Sequence, residues 1–523
     1  MKRLFSIALI ALIGSPAAAQ TKAAGQAPPR AQAATKTEDC GCDAKVPADL
    51  FAIVNGVKIT AGDVDEPIRK SLDGVRNQVI EARGRELYLQ INSRLLDAEA
   101  KKRGINSPKL LEQEVISKVK DPDESELQSF YDRNKSRIQG EFKDVKSQLA
   151  EHLRNQRQGE EAKKFADRLR AGADVKVFVE KVAAPSRESD RTRALAAVNG
   201  AEIKSADVED ALKPLIFDAQ EQMYKLRKGQ MDMAINSLLL EQEAQRRKVT
   251  ARALLEAEVT PKVKPLSRED PRKFYDENKE KITGGYDQVK DQIIQYLREK
   301  EEYDAQGAFA ARLRKAAAIE VFLTAPEPPV YNIAADDQPY KGRADAPVII
   351  VEFTDFECPS CAQTQPIIER LFAEYGDRVK VVVRDFPLEK HKNAFKAAEA
   401  AEAAREQGKY WPFVEMLFQN QSSLGVESLK GYATRLGLDR EKFDQGLESG
   451  RFADKVQRDL QEGMRLGVSG TPAVFVNGRF MTERSYEALK SEIETVLAQR
   501  SKGSAVEGRT SRGQTSPRQS GHR

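Results

Sequence analysis

The chain has 523 residues, too many for one hydrophobic core, so about three domains are expected. Its 85 basic and 81 acidic residues leave a formal charge of +4, which gives no electrostatic case for a nucleic acid partner. Charged residues make up 32% of the chain, as suits helices with solvated faces.

The N-terminus opens with Met1-Lys2-Arg3, then an apolar run over residues 4–13. That run is far short of the roughly 20 residues that cross a bilayer. Ser15-Pro16-Ala17-Ala18-Ala19 supplies a small-residue cleavage site, so residues 1–19 read as a signal peptide with Gln20 first in the mature chain. The other reading is an uncleaved N-terminal anchor. No later stretch is long and apolar enough to span a membrane, so no stable span is expected after cleavage. The expected location is periplasmic or secreted, where disulfides persist.

Residues 20–45 are rich in Ala, Gln, Pro and Lys and read as a flexible linker that ends in Cys40-Gly41-Cys42. A ring closed across one residue is strained, and strain makes a disulfide more oxidising. The pair is a candidate second redox centre; a stray linker pair and an intermolecular crosslink are the alternatives. The remaining cysteines are Cys358 and Cys361, too few to staple so long a chain. The two pairs are far apart in sequence, and His152, His391 and His522 are the other soft ligands, so neither a metal nor a cofactor is expected.

From residue 54 the chain repeats itself at an offset of 144. Val54-Asn55-Gly56 matches Val198-Asn199-Gly200, and Ile91-Asn92-Ser93 matches Ile235-Asn236-Ser237. Phe130-Tyr131-Asp132 matches Phe274-Tyr275-Asp276, and Val177-Phe178 matches Val321-Phe322. Register held this far predicts two copies of one mainly helical domain, over residues 46–185 and 190–325. Asp63 and Asp207 are candidate N-caps near a first helix of each copy, and a second, long amphipathic helix follows, centred on residues 87–103 and 231–247. Short apolar strands at residues 52–55 and 175–179 bracket the first copy and are expected to pair.

The opening Val-Asn-Gly, the Ile-Asn-x-x-Leu-Leu helix and the Phe-Tyr-Asp-x-Asn-Lys helix give these copies a family likeness. They resemble the N-terminal chaperone domain of SurA and related parvulin-type export chaperones. In that family a prolyl-isomerase domain commonly follows the Tyr-Asp-x-Asn-Lys helix. Here only residues 139–143 and 283–287 occupy its place, so no isomerase activity is expected. The resemblance implies binding of unfolded client proteins; a helical spacer or dimerisation domain is the alternative.

Ala325-Pro326-Glu327-Pro328-Pro329 marks a linker, taken as residues 326–340. Beyond it, Val348-Ile349-Ile350-Val351 reads as a buried strand. Residues 363–375 have helical spacing, with Ile367, Ile368, Leu371 and Phe372 on one face. Cys358-Pro359-Ser360-Cys361 therefore lies where a strand hands over to a helix N-terminus. Unpaired N–H groups and the positive end of the helix dipole gather there and favour a thiolate, the form that attacks disulfides. A strand at residues 379–385, a helical stretch at 394–466, a strand at 473–476 with an Asn477-Gly478 turn, and a helix at 485–497 complete an α/β thioredoxin fold with a helical insertion. It is assigned residues 341–498, leaving 499–523 as a disordered tail.

Three motifs give this domain a closer likeness: Glu352-Phe353-x-Asp355-Phe356-x-Cys358-Pro359-x-Cys361, Arg384-Asp385-Phe386-Pro387-Leu388, and Gly467-Val468-x-Gly470-Thr471-Pro472. They resemble the DsbA-like thiol–disulfide oxidoreductases. By that resemblance Cys358 is the nucleophile and Cys361 the more buried, resolving thiol. Pro472 is then the cis proline facing them, and it exposes the Thr471 backbone to an extended substrate. Glu352 would be a buried acid that assists proton transfer to Cys361, the alternative being a strand-end carboxylate facing solvent. Asp355 and Glu357 read as surface charges, His391 as a helix start, and Trp411 and Phe413 as core. Pro359-Ser360 replaces the Pro-His pair of strongly oxidising members, so oxidation, isomerisation and reduction all stay open.

The combined expectation is an exported enzyme that exchanges disulfides in unfolded, cysteine-containing client proteins, served by a redox partner protein. The alternative is a client-binding chaperone whose thioredoxin-like domain docks partners or senses redox state.

Overall fold

The computed structural model describes residues 40–42, 49–138, 140–335 and 337–510. The expected signal peptide, the linker apart from Cys40-Gly41-Cys42, and the tail beyond Thr510 lie outside them. The described chain gathers into two compact units, one of residues 82–217 and 327–510, the other of residues 40–42, 49–81 and 218–326.

Each sequence copy begins with a hairpin. In the first, β1 (Leu50–Val54) pairs with β2 (Val57–Thr60) across Asn55-Gly56, both at positive φ. A helix follows, α1 (Ala61–Lys102), then α2 (Ser107–Glu114), α3 (Glu124–Asn134), α4 (Phe142–Ala171) and strand β3 (Val175–Val177). The second copy repeats the order as β4 (Ala194–Val198), β5 (Ala201–Lys204), α5 (Ser205–Arg247), α6 (Ala251–Glu258), α7 (Asp270–Asn278), α8 (Tyr286–Ala316) and β6 (Ile319–Val321). α1 is one rod of 42 residues, where the sequence suggested two helices. Val64, Leu72, Val75, Val79 and Ala82 carry a buried stripe straight through, which outweighs Pro67 and Gly74. Asp63 and Asp207 lie inside the first helical turns rather than at the N-caps. Each reaches back to accept the backbone N–H just before its helix, from Thr60 and Lys204, both at 2.8 Å.

The repeated motif residues make repeated bonds. Tyr131 donates to the Gly140 carbonyl at 2.9 Å, and Tyr275 to that of Gly284 at 3.1 Å. The Asn134 and Asn278 amides donate to the carbonyls of Phe130 and Phe274. Asn92 accepts from Arg170 at 3.0 Å, and Asn236 from Arg314 at 2.7 Å.

The bracketing strands do not pair with each other, contrary to the sequence expectation. β1 pairs with β6, and β3 with β4. The reason is that α4 returns only to the middle of α1, where Arg170 meets Asn92 and the ring of Tyr88. Its strand β3 therefore meets the hairpin of the second copy. Leu87, Ile91 and Leu95 of α1 share a core with Leu195, Ile203 and Val208. Reciprocally, Met231, Ile235 and Leu239 of α5 share one with Phe51, Val54 and Ile59. Neither residues 46–185 nor residues 190–325 form a packing unit alone.

The C-terminal part is built on a five-stranded sheet of order β11-β10-β8-β9-β7. Its strands are β7 (Tyr340–Lys341), β8 (Val348–Thr354), β9 (Val379–Asp385), β10 (Ala473–Val476) and β11 (Arg479–Phe480). β8 and β9 run parallel, joined by α9 (Pro359–Tyr375), and the other pairings are antiparallel. The last helix among the described residues is α15 (Tyr486–Thr510). α9 and α15 pack on one side through Ile368, Leu371, Leu489 and Ile493 against Val348, Ile350, Val381 and Val474. The insertion is five helices, α10 (Ala394–Glu406), α11 (Tyr410–Gln419), α12 (Val426–Arg435), α13 (Arg440–Ser449) and α14 (Ala453–Arg465). Phe413 is fully buried among them and Trp411 is partly buried against the same cluster. α14 lies close on the sheet because Gly463 has no side chain: a Cβ there would come within 2.5 Å of the Phe386 ring.

Two boundaries differ from expectation. Val330 bridges to Arg479, and the Tyr331 N–H donates to Gly478, so part of the expected linker 326–340 joins the sheet. Tyr331 and Ile333 pack on the core there, apolar residues in an otherwise Pro-rich run. At the other end α15 continues to Thr510, past the expected start of the tail at 499, with helix-favouring Gln499 and Arg500 at that boundary.

Candidate active site

β8 delivers the chain to the N-terminus of α9 with Cys358 as its N-cap residue and Pro359 at the first helical position. Pro suits that position because its missing N–H would have no partner there anyway. Cys358 and Cys361 are both free thiols. Cys358 keeps 6% of its surface and borders an open cleft of about 650 Å³; Cys361 is wholly buried. The Asp355 N–H points at Cys361 Sγ from 3.5 Å. Burial pushes the Cys361 thiol up to about 12.

The Thr471–Pro472 peptide bond is cis, and the Thr471 carbonyl lies 3.5 Å from Cys358 Sγ. The structure thus brings Cys358, Cys361, Thr471 and Pro472 together. Glu352 is 1% exposed, so its carboxylate does not face solvent. Burial raises it from an ordinary value of 4.5 to about 7, and the charge of Glu369 adds to the effect. Glu352 is itself among the charges that hold Cys361 up. Among the described residues, nothing hydrogen-bonds to Glu352 Oε1.

Asp355 and Glu357 are not the surface charges that their sequence suggested. The Asp355 side chain is fully buried. Its Oδ1 accepts from the Glu357 N–H at 2.7 Å, and its Oδ2 accepts from the Leu388 N–H at 2.8 Å and lies 2.8 Å from His391 Nδ1. Glu357 is half-buried and accepts from the backbone of Asn393, at the start of α10, at 2.7 Å. An acid at that helix N-terminus meets the positive end of the dipole. His391 thus belongs to the site's support, not to a helix start. Gln421, from the loop after α11, is a second residue that sequence reasoning missed. Its amide donates to the carbonyls of Phe356 at 3.0 Å and Cys358 at 2.9 Å. For Asp355 a signal was present: it stands between Phe353 and Phe356 in a run that is otherwise buried.

Beside this site, Arg384 pairs with buried Asp459 at 2.9 Å, and Asp459 also accepts from Gln338 at 2.7 Å. The neighbouring Asp385 carboxyl is pushed well up by burial and by the charges of Glu402 and Asp459. The second half of the Arg-Asp-Phe-Pro-Leu motif thus enters the site through Leu388, and its first half serves this buried polar cluster.

Cys40 and Cys42 are bonded to each other and both buried. They belong to the other compact unit. Among the described residues, no group of His, Cys, Asp and Glu side chains is arranged to hold a metal ion.

Residues 334–495 match the protein family described as Thioredoxin. This part of the chain is a thioredoxin-fold domain. Curated relatives include the Na(+)/H(+) antiporter NhaA 1 of Mycolicibacterium vanbaalenii, 38% identical over 164 residues, which are 30% of this chain and 27% of that protein. The Na(+)/H(+) antiporter NhaA of Herminiimonas arsenicoxydans is 40% identical over 148 residues, 28% of this chain and 23% of the antiporter. The chain thus spans about a quarter of the length of these relatives, and the antiporter activity in their names is theirs. Among solved structures, oxidised BdbD from Bacillus subtilis is 27% identical, covering 33% of this chain and all of that one, with a TM-score of 0.30. The catalytic domain of Proteus mirabilis ScsC is 25% identical, covering 32% and 93%, with a TM-score of 0.28. No described helix is long and apolar enough to cross a membrane.

Proposed function

We propose that the protein is an exported thiol–disulfide oxidoreductase acting on unfolded clients. One observation carries this reading: a free cysteine at a helix N-terminus borders an open cleft beside a cis Thr471–Pro472 bond, with a buried partner thiol one turn behind. In the reducing direction, the Cys358 thiolate attacks one sulfur of a client disulfide and the other client sulfur leaves as a thiolate. Cys361 then gives up its proton and attacks Cys358 Sγ. The second client thiolate leaves, and Cys358–Cys361 ends oxidised as the client ends reduced. Run backwards, the same steps oxidise a client dithiol. The buried Glu352, titrating near neutrality, is suited to take the Cys361 proton. The test is disulfide exchange with a peptide substrate: it is lost in Cys358→Ala, and a variant that kept wild-type exchange would end the proposal. The reduction potential then sets the direction, since about −270 mV belongs to reductases and about −120 mV to strong oxidants.

The helical units, in the same proposal, hold clients before exchange, in line with the SurA-like motifs. Their exposed Phe178, Met233, Tyr296 and Tyr303 support this. Full-length protein with both Cys358 and Cys361 replaced by Ser should still suppress client aggregation; loss of suppression leaves the helical part as a spacer. Cys40–Cys42 is included as a second redox pair. Its measured potential decides, because a value below about −300 mV marks a structural disulfide.

A further inference from the structure

The turn from Leu388 to His391 is closed by the His391 N–H donating to the Leu388 carbonyl at 3.0 Å. It presents Leu388, Glu389 and Lys390 to the cleft that holds Cys358, which Gly470 and Thr471 also line. Glu389 and Lys390 are exposed and have no core to hold them in place. Leu388 packs, partly buried, against the sheet core, and Asp355 fastens the turn at both ends. Its fully buried Oδ2 takes the Leu388 N–H at one end of the turn and faces His391 Nδ1 at the other, each at 2.8 Å. A carboxylate oxygen accepts, so Nδ1 is the donor of that pair. Just beyond, Glu357 takes the Asn393 N–H. Two carboxylates on the approach to Cys358 thus fasten one loop, while the Asp355 backbone serves Cys361.

We propose that Asp355, with His391 as its partner, is the positioning residue for one wall of the client site. It holds the Leu388–Lys390 turn in the place where an extended client segment lies when its cysteine reaches Cys358. The proposal rests on the thiol–disulfide exchange reading above. A preformed wall matters because a loop that must be ordered at the moment of binding subtracts from affinity. It matters little to a small disulfide that touches Cys358 alone.

The experiment compares two substrates, a disulfide-bonded decapeptide and dithiobis-nitrobenzoate, with pre-reduced full-length wild type, Asp355→Asn, His391→Ala and His391→Asn in single turnover, where the half-saturating concentration is read as KM and the limiting rate as kcat. In Asp355→Asn and His391→Ala the peptide KM rises about tenfold while kcat stays within about twofold. His391→Asn recovers most of the loss, since its amide N–H can stand where Nδ1–H stood. The KM ratio between the two substrates shifts, and the Cys358–Cys361 potential does not. Equal losses on both substrates, or a moved potential, overturn the proposal, because Asp355 would then act on the cysteines. An unchanged peptide KM in His391→Ala overturns it too, and that variant decides if Asp355→Asn fails to fold. Wild type inert toward both substrates would refute the exchange reading and this proposal together. Wild-type exchange with an unshifted KM ratio refutes this proposal alone.

Discussion

The Gln421 side-chain amide donates to the carbonyl of Cys358 at 2.9 Å, joining the helical insertion to the turn that carries Cys358. The same amide holds the Phe356 carbonyl at 3.0 Å. Gln421→Ala frees both carbonyls in a half-buried place, at a net cost of about 1–2 kcal/mol. The expected outcome is a lower denaturation midpoint and a several-fold slower attack by Cys358, read by stopped-flow alkylation. An alkylation rate equal to wild type would show that the insertion does not hold the turn.

The two cysteines should separate cleanly. Cys361 is buried and its thiol is pushed up to about 12, so in the proposed exchange it acts only after a mixed disulfide has formed. Cys361→Ser should accumulate a client–Cys358 adduct, visible by non-reducing electrophoresis and mass spectrometry. Cys358→Ser should accumulate none. An adduct on Cys361 in Cys358→Ser would reverse the roles.

Glu352 makes a signed prediction about pH. Its folded value is raised from 4.5 to about 7 by burial, so the fold favours the protonated form. The stability this brings is fully present below pH 4.5 and is lost as the pH rises through about 7. Wild type should therefore lose about 3 kcal/mol, relative to Glu352→Gln, between pH 4.5 and pH 8. Denaturant titrations of both proteins at the two pH values measure it. Glu352→Gln should also slow resolution of the mixed disulfide near neutrality, because the amide cannot take the Cys361 proton.

Arg83 and Glu209 form a buried pair at 2.6 Å, tying α1 to α5 within one compact unit. Arg83→Ala leaves the Glu209 carboxylate without its guanidinium, which costs about 3–5 kcal/mol at a buried site. Calorimetry should show a lower melting temperature for the unit of residues 82–217 and 327–510, while exchange of dithiobis-nitrobenzoate at Cys358 persists below that temperature. An unshifted transition would show that the pair contributes nothing.

Much of the site could be read from neighbours in sequence. Cys358 and Cys361 are placed by the strand-to-helix handover, which is local geometry, and Thr471-Pro472 was named through the motif likeness to the DsbA-like proteins. The supporting residues could not be read that way. Asp355 reaches Leu388 and His391 only because β8 and β9 lie parallel in the register that sets Thr354 beside Asp385. A carboxylate looks the same in sequence whether it meets water or a loop some 33 residues on. Gln421 likewise depends on how the inserted helices fold back.

The duplicated region shows the same division. The offset of 144 and its motif residues are properties of the chain, and the paired Tyr–Gly and Asn–Arg bonds follow from them. Which hairpin each return strand meets is not, because both copies offer matching partners and local pattern cannot choose between them. The length of α1 and the reach of α4 decide it, sending β3 to β4 and leaving β1 for β6. The sequence alone determined the cysteine pair at its helix N-terminus and the repeat before it. Tertiary structure decided which buried acids lie beside that pair and how the repeats share their cores, since both are set by contacts between distant segments.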